Sequence, residues 1–192
     1  YGENPHQQGA IYSQNNFLKI KQIHGKKLSY NNFNDIFAGL AISKSLPKNT
    51  GTVIIKHANP CGVSILKDSV ASYKSALASD PVSAFGGVIS CNFKIKKKIA
   101  LELNKLFLEV IIGNNFDNDA LKILKKKKNL RLIDASNFSF SEILKFNSFD
   151  KTILVQTDDK KKKLKNDFKI VSKKKPSKSQ FDDLIFAFNV CR

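Results

Sequence analysis

TVIIKHANPCG, residues 52–62, is the stretch on which the fold turns. Thr52 leads three apolar residues, Val53, Ile54 and Ile55. A short continuous run of this kind suits a strand buried on both faces of a parallel sheet. It ends on two ionisable residues, Lys56 and His57, and residues 58–62 then read as a turn with Pro60 and Gly62. Pro fixes the backbone there, and Gly permits close approach or positive φ. In open α/β sheets, ligands bind outside the carboxyl ends of the strands. Lys56 and His57 are therefore candidates for a site. Side chains alternate along a strand, so both reach one place only if the strand stops at Lys56. An imidazole moves protons near neutral pH, and a nearby ammonium favours its neutral form. An ammonium also stabilises charge developing on an oxygen. The plainer alternative is a histidine capping the next helix beside a lysine that snorkels.

Outward from this strand, helical and strand patterns alternate. Residues 9–13 and 17–23 read as short strands around Gln14-Asn15-Asn16. Asn32 or Asn34 is expected to cap a helix carrying Phe33, Ile36, Phe37 and Leu40, with Pro47 beyond its end. Asp68 or Ser69 opens a helix with Val70, Tyr73, Ala76 and Leu77 on one side. Residues 80–87 read as a loop, 87–91 as a strand, 95–108 as a helix and 109–112 as a strand. A helix over 117–124 and a strand over 130–133 follow, then an irregular surface excursion over 136–151. Residues 152–156 and 168–171 read as strands. Ser177 or Ser179 caps a last helix with Phe181, Leu184, Ile185 and Phe188 on one face. Such alternation argues for an α/β layered fold with a largely parallel sheet.

The 192 residues, 42% hydrophobic, suffice for one sizeable core or two small ones. Met is absent and the chain stops inside an apolar-periodic stretch, so a segment of a longer protein is expected. No run of roughly 18 apolar residues exists, and no membrane span is expected. Cys61, Cys91 and Cys191 are scattered and odd in number, which suits a reducing, cytoplasmic setting. The net charge is +17, with lysines in runs at 96–98, 125–128, 160–163 and 173–175. Arginine occurs only at 131 and 192, and no aromatic-interleaved basic motif is present. The runs read as solvated faces, and no specific nucleic-acid partner is expected. A basic module binding nucleic acid or acidic partners is the alternative.

A second turn, SDPVSAFGG at residues 79–87, could line the same pocket. Backbone N–H groups in such a loop suit a phosphate or a flat heterocycle, and Phe85 could stack on the ring. The opening YGENPHQ, residues 1–7, is dense in hydrogen-bonding groups.

In this order, YGENPHQ, KHANPCG and SDPVSAFGG resemble the transformylase domain of the bifunctional purine-biosynthesis enzymes, AICAR transformylase/IMP cyclohydrolase. EVII (109–112), FDNDALKILKKKKNLRLI (116–133) and FDDLIFAFNVCR (181–192) extend the resemblance over most of the chain. It implies a cytidine deaminase-like, three-layer α/β/α fold with a mostly parallel sheet and an incomplete second core. Residues 1–192 would be the N-terminal part of the transformylase domain, with the cyclohydrolase domain absent. The implied reaction is formyl transfer from 10-formyltetrahydrofolate, the co-substrate, to the 5-amino group of 5-aminoimidazole-4-carboxamide ribonucleotide (AICAR). It belongs to de novo IMP synthesis, is carried out by a homodimer with sites at the subunit interface, and uses no metal. The 192 residues alone are expected to be inactive.

By the same resemblance Lys56 and His57 match the catalytic pair. His57 relays the amine's proton, and Lys56 assists at the formyl oxygen or the departing folate nitrogen. Tyr1 matches a ribotide contact, Gly86 a backbone contact near the base, Phe85 a pocket wall and Glu109 an acidic substrate contact. Asn59 is placed with these substrate-binding residues. Gly113-Asn114-Asn115 departs from the family's usual Ala-Pro-Gly, and most folate contacts would lie beyond Arg192. A zinc deaminase would need H-x-E and P-C-x-x-C. His57-Ala58-Asn59 and Pro60-Cys61-Gly62-Val63-Ser64 supply neither.

Overall fold

The computed structural model describes residues 2–13, 18–139, 144–159 and 163–191. It falls into two compact units that divide between Ser139 and Phe140.

The first unit begins with β1 (Lys21–His24) and α1 (Tyr30–Ser45), then the β2 (Gly51–Lys56) and β3 (Asn59–Ile65) pair. After α2 (Ser69–Ser79) come β4 (Val88–Cys91), α3 (Lys97–Leu103), β5 (Val110–Gly113), α4 (Asn118–Leu124) and β6 (Arg131–Asp134). The strands form a six-stranded sheet in the order β1-β6-β5-β4-β2-β3. β4, β5 and β6 pair in parallel, while β1 is antiparallel to β6, and β2 to both β3 and β4. Four strands, β3 to β6, therefore point one way and the sheet is mostly parallel.

Alternation along the strands feeds two cores. Val53, Ile55, Val88, Val110, Ile112 and Ile133 face α1, where Ile36 and Leu40 meet them. Ile54, Ile89, Ile111 and Leu132 face the other way, against Tyr73 and Ala76 of α2, Ile99 and Leu103 of α3, and Leu124 of α4. The unit is thus three layers, α/β/α. Val53, Ile54 and Ile55 are 0% exposed, as expected for a strand covered on both faces. β2 nonetheless has antiparallel neighbours on both sides. Its burial comes from the helix layers, not from parallel pairing.

Local chemistry sets the element ends. Ser29 caps α1: its Oγ accepts from Asn32 N, and its own N–H donates to Asn32 Oδ1, both at 3.2 Å. The cap is therefore Ser29 rather than Asn32 or Asn34, and Asn32 is its reciprocal partner. α1 stops at an extended Leu46, as residues before proline do. Asp68 and Asp117 cap α2 and α4 by accepting from Ala71 N and Ala120 N, each at 2.7 Å. α3 is shorter than the expected 95–108. The carbonyls of Asn104 and Leu106 accept from Lys127 Nζ at 2.6 and 2.9 Å, and Phe107 leaves to set its ring, tilted by 39°, against Phe85. Residues 9–13 are irregular; of the expected 17–23 strand, residue 17 lies outside the described residues, 18–20 are not in a strand, and β1 starts at Lys21 and runs on to His24.

The second unit holds a hairpin of β7 (Leu144–Phe149) and β8 (Thr152–Thr157), then α5 (Lys178–Cys191). β7 lies within the stretch expected to be an irregular excursion. Residues 168–171, expected as a strand, have no strand partner; Phe168 sets its ring edge-on against Phe188 of α5, 5.2 Å away. Ser177 caps α5 through Gln180. Both faces of the hairpin are exposed, and none of α5's described residues is buried. Among the described residues no helix is long and apolar enough to cross a membrane.

Candidate functional site

β2 does end at Lys56, but the turn beyond it is not residues 58–62. Lys56 pairs with Asn59, so the turn is His57-Ala58 alone. Both have positive φ, 53° and 59°, as a two-residue type I′ hairpin requires. Asn-Gly is the usual choice there; side chains with a Cβ cost about 1–2 kcal/mol each. The turn is held from outside. Ala58 N–H donates to Asp35 Oδ1 of α1 at 2.7 Å, and Asn59 Nδ2 donates to the His57 carbonyl at 2.8 Å. The His57 side chain is exposed at the tip. Pro60 and Gly62 belong to β3. Pro60 is tolerated because β3 is an edge strand whose register shifts between Ile54 and Ile55. Gly62 is required by packing: a Cβ there would stand 1.9 Å from the Ala76 carbonyl oxygen of α2.

Because β2 opposes β4 and β4 parallels β5 and β6, Lys56 comes to the edge where those three strands begin. Of these strands only β2 presents its carboxyl end there. Lys56 Nζ donates to the Phe85 carbonyl at 3.0 Å, which ties the hairpin to the loop before β4. Gly86 next to it has φ +73° and donates its N–H to the Phe107 carbonyl at 2.9 Å. The Phe85 and Phe107 rings lie 5.2 Å apart, and Phe85 keeps 58% of its surface open. Asp80, at the start of the same loop, is held below the usual carboxylate range by hydrogen bonds from Ser83.

Glu109 enters from the start of β5, its N–H bonded to the Gly87 carbonyl. Its Oε2 accepts from Asn32 Nδ2 at 2.8 Å and lies 3.7 Å from Arg131 Nη1 at the start of β6. Burial raises the Asp35 carboxyl above its ordinary value. The Ala58 N–H and His57 oppose that shift, and Glu109 adds to it. Burial likewise pushes the Cys61 thiol up, away from thiolate chemistry.

One sheet edge thus gathers Lys56, His57, Phe85, Gly86 and Glu109. Asn59 supports the turn, and Tyr1 lies outside the described residues. Three neighbours were not named as site residues from the sequence: Asn32, Asp35 and Arg131. A signal existed for Asn32, a polar residue four before Ile36 on the buried stripe of α1. Arg131 also borders a cleft of about 500 Å3 lined by Ser29, Tyr30 and Phe33. The edge offers an imidazole, an ammonium, a carboxylate and an aromatic face. That set suits proton transfer beside a flat polar ring.

The described residues of the lysine runs are mostly exposed, as expected, with two corrections, the first being that Lys163 is partly buried. Lys127 is also partly buried and caps the end of α3, because its ammonium satisfies two carbonyls there. Residues 160–162 lie outside the described residues. Among the described residues, no cluster of three or more His, Cys, Asp or Glu could hold a metal.

The family model described as "AICARFT/IMPCHase bienzyme" matches residues 1–192. "Bifunctional purine biosynthesis protein PurH" of Acetivibrio thermocellus is 41% identical over 202 residues, covering 100% of this chain and 39% of that protein. The proteins of the same name from Thermoanaerobacter sp. and Persephonella marina are 39% and 40% identical; each match covers all of this chain and 38% of the relative. The chain thus spans about two fifths of the length of these relatives. Among solved structures, Acinetobacter baumannii RibD, form 2, aligns over 54% of this chain with a TM-score of 0.39 and 14% identity.

Proposed function

The chain belongs to the AICARFT/IMPCHase bienzyme family, and from that membership we propose that it serves purine biosynthesis as part of an AICAR transformylase. Residues 1–192 are read as the N-terminal part of that domain, with the first unit as its first core. The polypeptide that carries it transfers the formyl group of 10-formyltetrahydrofolate to the 5-amino group of AICAR. It works in the cytoplasm as a homodimer, with IMP cyclohydrolase activity elsewhere in the same protein.

The observation that carries this reading is the junction of Lys56 with Phe85. It brings the Lys-His hairpin and the Ser/Gly loop, far apart in sequence, to one edge. The aromatic amine attacks the formyl carbon and a C–N bond forms. The bond from that carbon to the folate N10 breaks as the tetrahedral adduct collapses. An amine conjugated to a carboxamide-bearing ring is a poor nucleophile, so its proton must leave as the bond forms. His57, exposed at the tip, takes that proton, which is the scale of help general base catalysis gives, about 10²–10⁴-fold. Lys56 has one N–H committed to Phe85 and others free for the formyl oxygen or the departing nitrogen. Phe85 offers its open face to the imidazole ring of the ribotide. Glu109, with one oxygen held by Asn32, accepts from a substrate N–H or hydroxyl.

The test is tetrahydrofolate release by the intact polypeptide given AICAR and 10-formyltetrahydrofolate. Lys56→Ala and His57→Ala are expected to lose at least about 100-fold in kcat while remaining folded. Parental turnover by His57→Ala would remove the proton-transfer assignment.

A further inference from the structure

We propose that Asp35 is a positioning residue for His57: from α1 it clamps the amide of Ala58 and so fixes the turn that presents the imidazole. This rests on the reading of His57 as the proton acceptor. His57 and Ala58 both have positive φ without being glycine, so the turn is a conformation the chain leaves when released. The β2–β3 ladder beneath it is irregular, shifting register between Ile54 and Ile55. The Asp35 Oδ1 bond to Ala58 N–H, at 2.7 Å, spans 23 positions in sequence. It anchors the turn to a helix fixed by the buried Ile36 and Leu40 next to it and by the Ser29 capping box. The Asn59 bond to the His57 carbonyl stays within the hairpin and moves with it. Asp35 is half-buried beside this contact, where an unpartnered carboxylate would be costly. Its role is to hold the histidine's backbone.

The experiment compares variants of the intact polypeptide in formyl transfer. Asp35→Ala is expected to lower kcat about 10–100-fold, the scale of a misplacement near 1 Å, with KM for AICAR within about 2-fold. Asp35→Asn keeps an oxygen facing Ala58 N–H and is expected to restore most of the rate. Adding Ala58→Gly to Asp35→Ala is expected to restore part of it, because glycine holds positive φ unaided. Should Asp35→Ala not fold, Asp35→Leu fills a similar volume without an acceptor and is held to the same expectation. Parental kcat in the acceptor-free variant while His57→Ala is inactive would overturn the clamp. So would an equal loss in Asp35→Asn, or no gain from Ala58→Gly. Parental kcat in His57→Ala would instead overturn the proton-transfer reading beneath it.

Discussion

Asp35 sits between His57, which acts to lower its pKa, and Glu109, which acts to raise it, in a place where burial is the strongest influence. Its folded-state pKa is raised above the ordinary 3.8. The residue's contribution to stability is therefore fully present below that value, where it is protonated folded or unfolded. It is lost as pH rises through the higher folded value. Asparagine does not titrate. The melting temperature of Asp35→Asn minus that of the parent should thus rise as pH passes upward through this window. A flat or falling difference, measured by thermal unfolding across the acid range, would show that burial does not govern this carboxyl. The Lys56-His57 junction was legible in the sequence because an apolar run ends abruptly on two ionisable residues. Asp35 was not, and the buried stripe that marks Asn32 does not reveal its partner, because their contacts with Ala58 and Glu109 cross 23 and 77 positions. No local pattern encodes those pairings.

At the scale of elements, the β2–β3 hairpin shows where reading by residue type misleads. Pro60 and Gly62 look like turn residues, yet both lie in a strand. The turn is made by His57 and Ala58, which carry no turn signal. Only the close approach of α2 explains Gly62. Gly62→Ala would bring a Cβ against the Ala76 carbonyl at 1.9 Å, so strand or helix must move. A loss of about 1–3 kcal/mol is expected, read as a lower denaturant midpoint with an unchanged m-value. An unchanged midpoint would mean that α2 yields freely. Periodicity did find α1, α2 and α4, whose apolar stripes face the sheet. It overran α3, because Leu106 and Leu108 continue an apolar pattern after the backbone has turned toward Lys127 and Phe85.

At the largest scale, the three layers of the first unit follow from the alternation of strands and helices, but strand direction does not. Nothing in residues 52–56 says that β2 runs against β4, and that reversal moves the site to the starts of β4, β5 and β6. The opposite edge is also polar. Lys44 Nζ donates there to Asn114 Oδ1 and the Ala135 carbonyl at 2.7 and 2.9 Å, and burial lowers its pKa. The two edges are therefore rivals for a ribotide, and a crystal structure of the intact polypeptide with AICAR separates them directly. The expected result is the aminoimidazole ring over Phe85, its amine within hydrogen-bond reach of His57. Density for the ribotide at the other edge, against Lys44 and Asn114, would contradict the site.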